Sequence, residues 1–385
     1  MDITKQNFKV FLIAGEASGD LLGADLAKQL FQMQPDIQLL GLGGKQMRQA
    51  GVEIVFDNEL MNIVGWWEVI KNLKVIRQAM LTIKKQLKIN RPDLIILIDY
   101  PGFNLRIAKI AKRLGIKVLY YVSPQIWAWK YQRIHTIREC VDHMAVLFQF
   151  EEAIYRREKV PVTFVGHPLT ALVKASDSKE AVYQRYHLNP AQPIIALFPG
   201  SRMQELRRMM PEIISAIQKI KERSPDAQFV LPLAPTLKQQ VLLTYFNDQK
   251  ILIIKNDTYN ILSVCNAAIV KSGTGTLEVA LSQVPLMIIY KGSYINYWIA
   301  RLLVKVKQIG LCNIVAQKTI AREFIQHQVT PETIATETLR LLNDANYRQN
   351  MLNQLAELKQ NFGDRNTSSQ VAKIAINLLK PVSSC

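Results

Sequence analysis

Cysteine is scarce in this chain. Cys140, Cys265, Cys312 and Cys385 stand far apart with no CxxC spacing, which suggests neither a disulfide framework nor a zinc site. The histidines His135, His143, His167, His187 and His327 are scattered without a ligand motif. No apolar run approaches the ~20 residues that span a bilayer. The opening FKVFLIAG, followed at once by Glu16 and Asp20, is too short and too acidic for a signal peptide. A reduced, cytoplasmic setting is expected, with attachment to a membrane surface left open. There is no long Lys/Arg run, basic tail or nucleic-acid motif, so nucleic acid is not the favoured partner. Short repeats and low-complexity segments are missing too.

What is present is an ordered globular chain of 385 residues, 49% hydrophobic and 21% charged, long enough for two or three domains. Its net charge of +17 implies an anionic partner, such as a phosphorylated substrate or an acidic membrane surface. Aliphatic runs alternate with helical periodicity throughout. Phe8–Ala14, Ile37–Gly41, Val52–Phe56, Leu94–Ile98, Ile116–Val122, Val141–Leu147 and Val162–Val165 read as strands of a first half. Gly166-His167-Pro168 ends it. Ile194–Phe198, Gln228–Leu233, Ile251–Ile254, Ala267–Val270 and Leu286–Tyr290 read as strands of a second half, and the chain is helical past Pro331. The economical architecture is α/β, with two facing, Rossmann-like, doubly wound domains and a helical C-terminus. The expected boundaries are residues 1–168, 169–360 and 361–385. The last segment either packs back on the first domain or exchanges with a partner in a homodimer.

Polar turns follow several of these strands. DLIILIDYPGFN carries Asp99 at the carboxyl end of a doubly buried strand, where open α/β sheets place their chemistry; a helix cap or a solvated turn acid is the alternative. Gly15-Glu16-Ala17-Ser18-Gly19-Asp20 follows the first strand. Its glycines would let backbone N–H groups approach an anion, or it is a tight turn capped by Ser18 or Asp20. Its spacing is neither GxGxxG nor a Walker loop. Ser123–Lys130, SPQIWAWK, supplies aromatics for a pocket wall or for core. In the second half, Pro199-Gly200-Ser201-Arg202 offers backbone N–H groups, a hydroxyl and a guanidinium to phosphate. Lys271-Ser272-Gly273-Thr274-Gly275-Thr276-Leu277-Glu278 offers a lysine, hydroxyls and a helix N-terminus. Glu278 suits ribose hydroxyls, or is an ordinary exposed helical glutamate. There is no DxD-type acidic pair, so a diphosphate would be neutralised by Arg202, Lys271 and helix dipoles instead of a metal. Asp99 is then the acid left to take a proton from an acceptor hydroxyl while a nucleoside diphosphate departs, as in an inverting transfer.

Residues 66–88 form a basic amphipathic pattern behind paired tryptophans. Either it meets a membrane interface or it is a surface helix packed on the sheet. Tyr294–Lys307, YINYWIARLLVKVK, is a second candidate of this kind.

Taken in order, GEASGD at 15–20, VSPQIWAW at 122–129, Gly166-His167, PGSR at 199–202 and SGTGTLE at 272–278 resemble the lipid-A-disaccharide synthase family, from about Val10 to Lys318. The resemblance implies a GT-B glycosyltransferase that needs no metal and no other cofactor. It implies transfer of 2,3-diacylglucosamine from its UDP donor to the 6-hydroxyl of 2,3-diacylglucosamine 1-phosphate, giving a β-1,6 disaccharide phosphate and UDP. Asp99 is then similar to the family's general base. Arg202 and the 272–278 turn are similar to its UDP-binding elements, and Asn313 to the asparagine of a Pro-Asn-Leu segment. Cys312 stands where that proline is expected, and Gly102 where many relatives carry a second acid. Substrates with acyl chains imply work at the anionic inner face of the cytoplasmic membrane. Val64, Trp66, Trp67, Val69, Ile70 and Leu73 are the expected acyl- and membrane-facing residues. A sugar-nucleotide epimerase, or a transferase on a soluble acceptor, is the competing enzyme reading. A basic peripheral scaffold without catalysis is the competing reading of another class.

Overall fold

Short aliphatic runs bounded by Gly, Pro and polar turns become strands here because helices cover both faces of each sheet. The computed structural model describes residues 7–61, 68–234, 236–246, 250–293, 308–363 and 365–380, and gives no side-chain account of residues 68–73. The chain divides into two units, Met1–Pro168 with Asp364–Cys385, and Leu169–Gly363.

In the first unit the strands are β1 (Lys9–Ala14), β2 (Gln38–Gly43), β3 (Glu53–Asp57), β4 (Leu94–Ile98), β5 (Lys117–Tyr121), β6 (His143–Val146) and β7 (Val162–Phe164). They form one parallel sheet in the order β3-β2-β1-β4-β5-β6-β7. Helices α1 (Ala17–Met33), α2 (Lys45–Gln49), α3 (Glu68–Asn90), α4 (Pro101–Arg113), α5 (Arg133–Cys140) and α6 (Gln149–Arg157) connect them. Every residue of β4 is buried, as its unbroken aliphatic run requires. The C-terminal helix Thr367–Leu379 returns to this unit, burying Val371, Ala372, Ala375 and Leu379 in the same core as β1 and α1.

The second unit repeats the plan with β8 (Ile194–Phe198), β9 (Gln228–Pro232), β10 (Ile251–Ile254), β11 (Ala267–Lys271), β12 (Leu286–Tyr290) and β13 (Glu323–Ile325), ordered β10-β9-β8-β11-β12-β13. The helices of this unit include α7 (Leu169–Leu172), α8 (Lys179–Tyr186), α9 (Met203–Arg223), α10 (Gln239–Phe246), α11 (Thr258–Leu262) and α12 (Thr274–Leu281). The edge strand β13 was not expected from the sequence. Three residues, Glu-Phe-Ile, are too few to show a period, and only pairing with β12 makes them a strand.

Candidate active site

In both sheets the connections wind outward in opposite directions from one central pair of strands. That reversal leaves a crevice at the carboxyl ends of the pair, where doubly wound folds bind ligands. In the first unit the pair is β1 and β4, with Ala14 beside Ile98. The Gly15–Asp20 and Asp99–Asn104 turns therefore emerge together. In the second unit it is β8 and β11, with Phe198 beside Val270. The Pro199–Arg202 and Lys271–Gly275 turns therefore emerge together as well. Each pair of turns is separated by about 70 residues or more of chain, so only the crossover topology unites them.

Asp99 and Tyr100 both have left-handed backbone, φ 49° and 45°, and Val122 at the neighbouring strand end has φ 68°. Such conformations cost about 1 kcal/mol or more each and persist only where surroundings enforce them. The enforcement is visible. The Asp99 N–H donates to Tyr121 O at 2.9 Å. The Asp99 carbonyl accepts from Tyr120 Oη and from Asn104 Nδ2, both at 2.7 Å. Asn104, fully buried, also donates to Ile98 O at 3.1 Å. The turn places Asp99 on the wall of a cavity of 170 Å³, which it lines with Ser123, Gln125, Trp129, Arg133 and Glu151. Burial raises its pKa, and the charge of Glu16 raises it further; a backbone hydrogen bond at Tyr100 opposes both. A carboxylate so placed holds a proton more readily than one in water, as a base for a hydroxyl should.

Glu151 was missed by sequence reasoning. It is 2% exposed, accepts from Trp127 Nε1 and the Phe148 N–H, both at 3.2 Å, and burial lifts its pKa to about 7. The aromatics of residues 123–130 divide between the two expectations. Trp127, half-buried, packs edge-on against Phe150 with ring centroids 5.3 Å apart, whereas Trp129 lines the cavity with 39% of its surface exposed.

The Gly15–Asp20 turn does different work from that expected. Gly15 is required by close approach, since a Cβ there would sit 2.5 Å from the Tyr100 ring. Glu16 is exposed on the turn, and Ser18 is exposed as well. Neither Ser18 nor Asp20 caps α1, whose N-cap Glu16 has no side-chain cap bond. Asp20 instead is buried and caps the next helix, accepting from the N–H groups of Gly44 at 2.6 Å, Gln46 at 2.9 Å and Met47 at 3.1 Å. Gly19 is buried against Ala14.

In the second unit a cavity of 300 Å³ is lined by Gly200, Ser201, Glu205, Thr258, Lys271–Gly275 and Glu278. Glu205, unremarked in the sequence, is one of its lining residues. Its Oε2 accepts from the N–H groups of Ser201 at 3.1 Å and Arg202 at 3.3 Å, and its Oε1 accepts from Lys271 Nζ at 2.8 Å. An R-x-x-E spacing at a helix start is the signal that could have found it. Burial would raise the pKa of Glu205, but Lys271 and the turn outweigh it and leave the pKa lowered. Gly200, at φ 119°, leaves room for this carboxylate, because a Cβ would lie 2.5 Å from Oε2. Arg202 is exposed at the N-cap of α9, outside the cavity lining.

Gly273 and Thr274 are exposed at the N-terminus of α12. The hydroxyls behave otherwise than a phosphate cradle of side chains would require. Ser272 Oγ donates to Ile309 O at 2.7 Å, and Thr276, fully buried, donates to Gly273 O at 2.8 Å. The backbone N–H groups, Lys271 and the exposed Thr274 are what this turn has to offer an anion. Glu278 is no ordinary surface residue. It lines the cavity, accepts from Tyr259 Oη at 3.1 Å, and has its pKa raised by burial against that bond.

Asn313 also departs from expectation. Fully buried, it donates to Ala321 O at 2.7 Å and Glu323 Oε1 at 2.8 Å, and accepts from the Ile320 and Ala321 N–H groups at 2.9 and 3.0 Å. Its amide is fully used in bracing the strand β13 connection, with none left for a ligand. Cys312 sits in the first turn of the helix Leu311–Ala316, where a proline would also fit. Gly102 lies in the first turn of α4, with nothing within 4 Å of a Cβ built on it.

Of the expected membrane-facing set, Val64, Trp66 and Trp67 lie outside the described residues, as does Tyr294–Lys307; the side chains of Val69, Ile70 and Leu73 do too. From Lys74 onward α3 spends its stripe Ala79, Ile83 and Leu87 on the core, and exposes Lys74, Arg77, Lys84, Lys85 and Lys88. No described helix is long and apolar enough to cross a membrane.

Two doubly wound parallel sheets, each with ligand-type turns at its point of reversal, define the GT-B class of glycosyltransferases and sugar-nucleotide epimerases. Solved structures agree at the level of fold. A putative UDP-N-acetylglucosamine 2-epimerase from Listeria monocytogenes superposes with TM-score 0.63 at 14% identity, covering 96% of this chain and 95% of that one. The calicheamicin glycosyltransferase CalG4 superposes with TM-score 0.62 at 13% identity, covering 98% and 100%. Sequence relatives are narrower. A lipid-A-disaccharide synthase from Coxiella burnetii is 47% identical over 97% of this chain and 99% of its own length. One from Trichlorobacter lovleyi is 43% identical over 97% and 98%. The family model for lipid-A-disaccharide synthetase matches residues 10–375, and the chain belongs to that family. It is a hexosyltransferase that takes a sugar from a UDP-sugar and joins it to a sugar phosphate to build the lipid A disaccharide. Epimerisation and transfer to a soluble acceptor are not favoured.

Proposed function

We propose that Asp99 is the general base of this transfer and that the 300 Å³ cavity of the second unit holds the UDP of the donor. The observation that carries the first part is the half-buried Asp99, set by an enforced left-handed turn at the reversal point of its sheet and lining a cavity. Asp99 takes the proton of the acceptor 6-hydroxyl as that oxygen bonds to the anomeric carbon of 2,3-diacylglucosamine. The bond from that carbon to the diphosphate breaks, and its electron pair leaves with UDP. The charge gathering on the departing phosphate meets Lys271, Arg202 and the N–H groups opening α12. A diphosphate entering there takes over the donors that Glu205 engages, and Glu278 receives the ribose.

Acyl chains on both substrates place the enzyme at the inner face of the cytoplasmic membrane. Support comes from the +17 charge and the exposed basic residues of α3. The tryptophans Trp66 and Trp67, with Val64, Val69, Ile70 and Leu73, are the anchoring surface in this reading.

The test is steady-state turnover of both lipid substrates by Asp99→Asn, with UDP affinity measured in parallel. Loss of turnover with intact UDP binding is expected; retained turnover removes Asp99 from the mechanism. In Glu16→Gln the acidic limb of the pH–rate profile should move to lower pH, because a charge that raises the pKa of Asp99 is gone.

A further inference from the structure

We infer that Arg133, held beside the Trp129 ring at the cavity of Asp99, binds the phosphate of the acceptor sugar. The inference rests on the reading of Asp99 as the base. If the 6-hydroxyl of the acceptor meets Asp99, its ring enters the cavity that Asp99 lines. The phosphate on the anomeric carbon then projects from the other end of the ring.

Among the residues lining that cavity Arg133 is the one cation, and the two carboxyl groups, Asp99 and Glu151, would repel an anion brought in without it. The guanidinium carbon of Arg133 lies 5.0 Å from the centroid of the Trp129 ring. Among the described residues Arg133 enters no ion pair, so its fork of N–H donors is not committed to a carboxylate. A cation resting on an aromatic face keeps charge for a second partner, and phosphate is the planar fork's natural complement.

Trp129 is the independent observation. Trp129, with 39% of its surface exposed, lines the same cavity and offers an apolar ring surface to a sugar that enters it. The apolar face of a hexose suits an indole, and a sugar stacked on Trp129 would carry its phosphate toward the guanidinium beside the same ring. Lys130 Nζ, 4.5 Å from that ring, adds positive potential without lining the cavity.

The experiment compares 2,3-diacylglucosamine 1-phosphate with its 1-hydroxyl counterpart as acceptors, in the full-length enzyme. In Arg133→Gln the KM for the phosphorylated acceptor should rise about tenfold or more while the donor KM stays within about twofold. The preference for the phosphorylated acceptor should fall by the same factor, and Arg133→Lys should restore part of it. Arg133→Met, which keeps the apolar stem beside Trp129, repeats the test if the glutamine variant folds poorly. An undiminished preference for phosphate, or an equal loss with both acceptors, overturns the inference. Asp99→Asn run beside them separates the two readings. An active Asp99→Asn unseats the base on which this rests. An inactive one with undiminished phosphate preference in Arg133→Gln overturns Arg133 alone.

Discussion

Removing the carboxyl of Asp20 should damage stability more than chemistry, although this residue lies in one of the chain's most conspicuous turns. Its two oxygens accept three backbone N–H bonds, from Gly44, Gln46 and Met47, and so hold the start of α2 against α1. In Asp20→Ala all three bonds go. The groups on Gly44 and Met47 are buried, so each loses a partner at about 1–3 kcal/mol, and the lost cap adds about 1 kcal/mol. The expected loss is about 3–7 kcal/mol. Asp20→Asn keeps one oxygen toward Gly44 and Met47 and turns its amide toward the Gln46 N–H, so about 1.5 kcal/mol is expected. Urea unfolding followed by far-ultraviolet circular dichroism measures both, in the transition that carries the first unit. An alanine variant within 1 kcal/mol of the parent would refute the capping argument. An asparagine variant of parental stability with a raised acceptor KM would show that the carboxylate meets a ligand.

Three further outcomes are expected. Glu205→Gln removes the carboxylate that holds the Ser201 and Arg202 N–H groups and Lys271, so UDP should bind severalfold more tightly by titration calorimetry; weaker binding would mean that Glu205 assists the donor. His167, buried against Phe148, has its pKa lowered to about 4 by that burial. The unfolded chain therefore takes up this proton near pH 6.5 and the folded one does not, so stability is full above that pH and falls by about 3 kcal/mol on going down to about pH 4. His143, also shifted down by burial, acts in the same direction, and His167→Gln should flatten this part of the profile in urea unfolding from pH 4 to 7. Replacing Trp66 and Trp67 by Ser should lower partitioning onto anionic liposomes in sedimentation assays, and unaltered partitioning would return that segment to an ordinary structural role.

Sequence alone determined the alternation of strands and helices, because period and aliphatic bulk are local properties. It also determined which turns are polar and Gly-rich, and the family to which their order belongs. Residues such as Asp99 and Lys271 were legible because strand-end position and residue type together narrow what a side chain can do. What each turn residue touches was decided only by the tertiary structure. Asp20 and Asn313 carry site-like chemistry, yet burial and saturated hydrogen bonds turn both into braces. Glu151 and Arg133 carry no local pattern in the sequence that singles them out, and Glu205 carries only the R-x-x-E spacing. They line cavities because crossovers bring distant segments together at the carboxyl ends of neighbouring parallel strands. A hydrogen bond or a desolvated charge depends on partners far along the chain, and no local pattern records them.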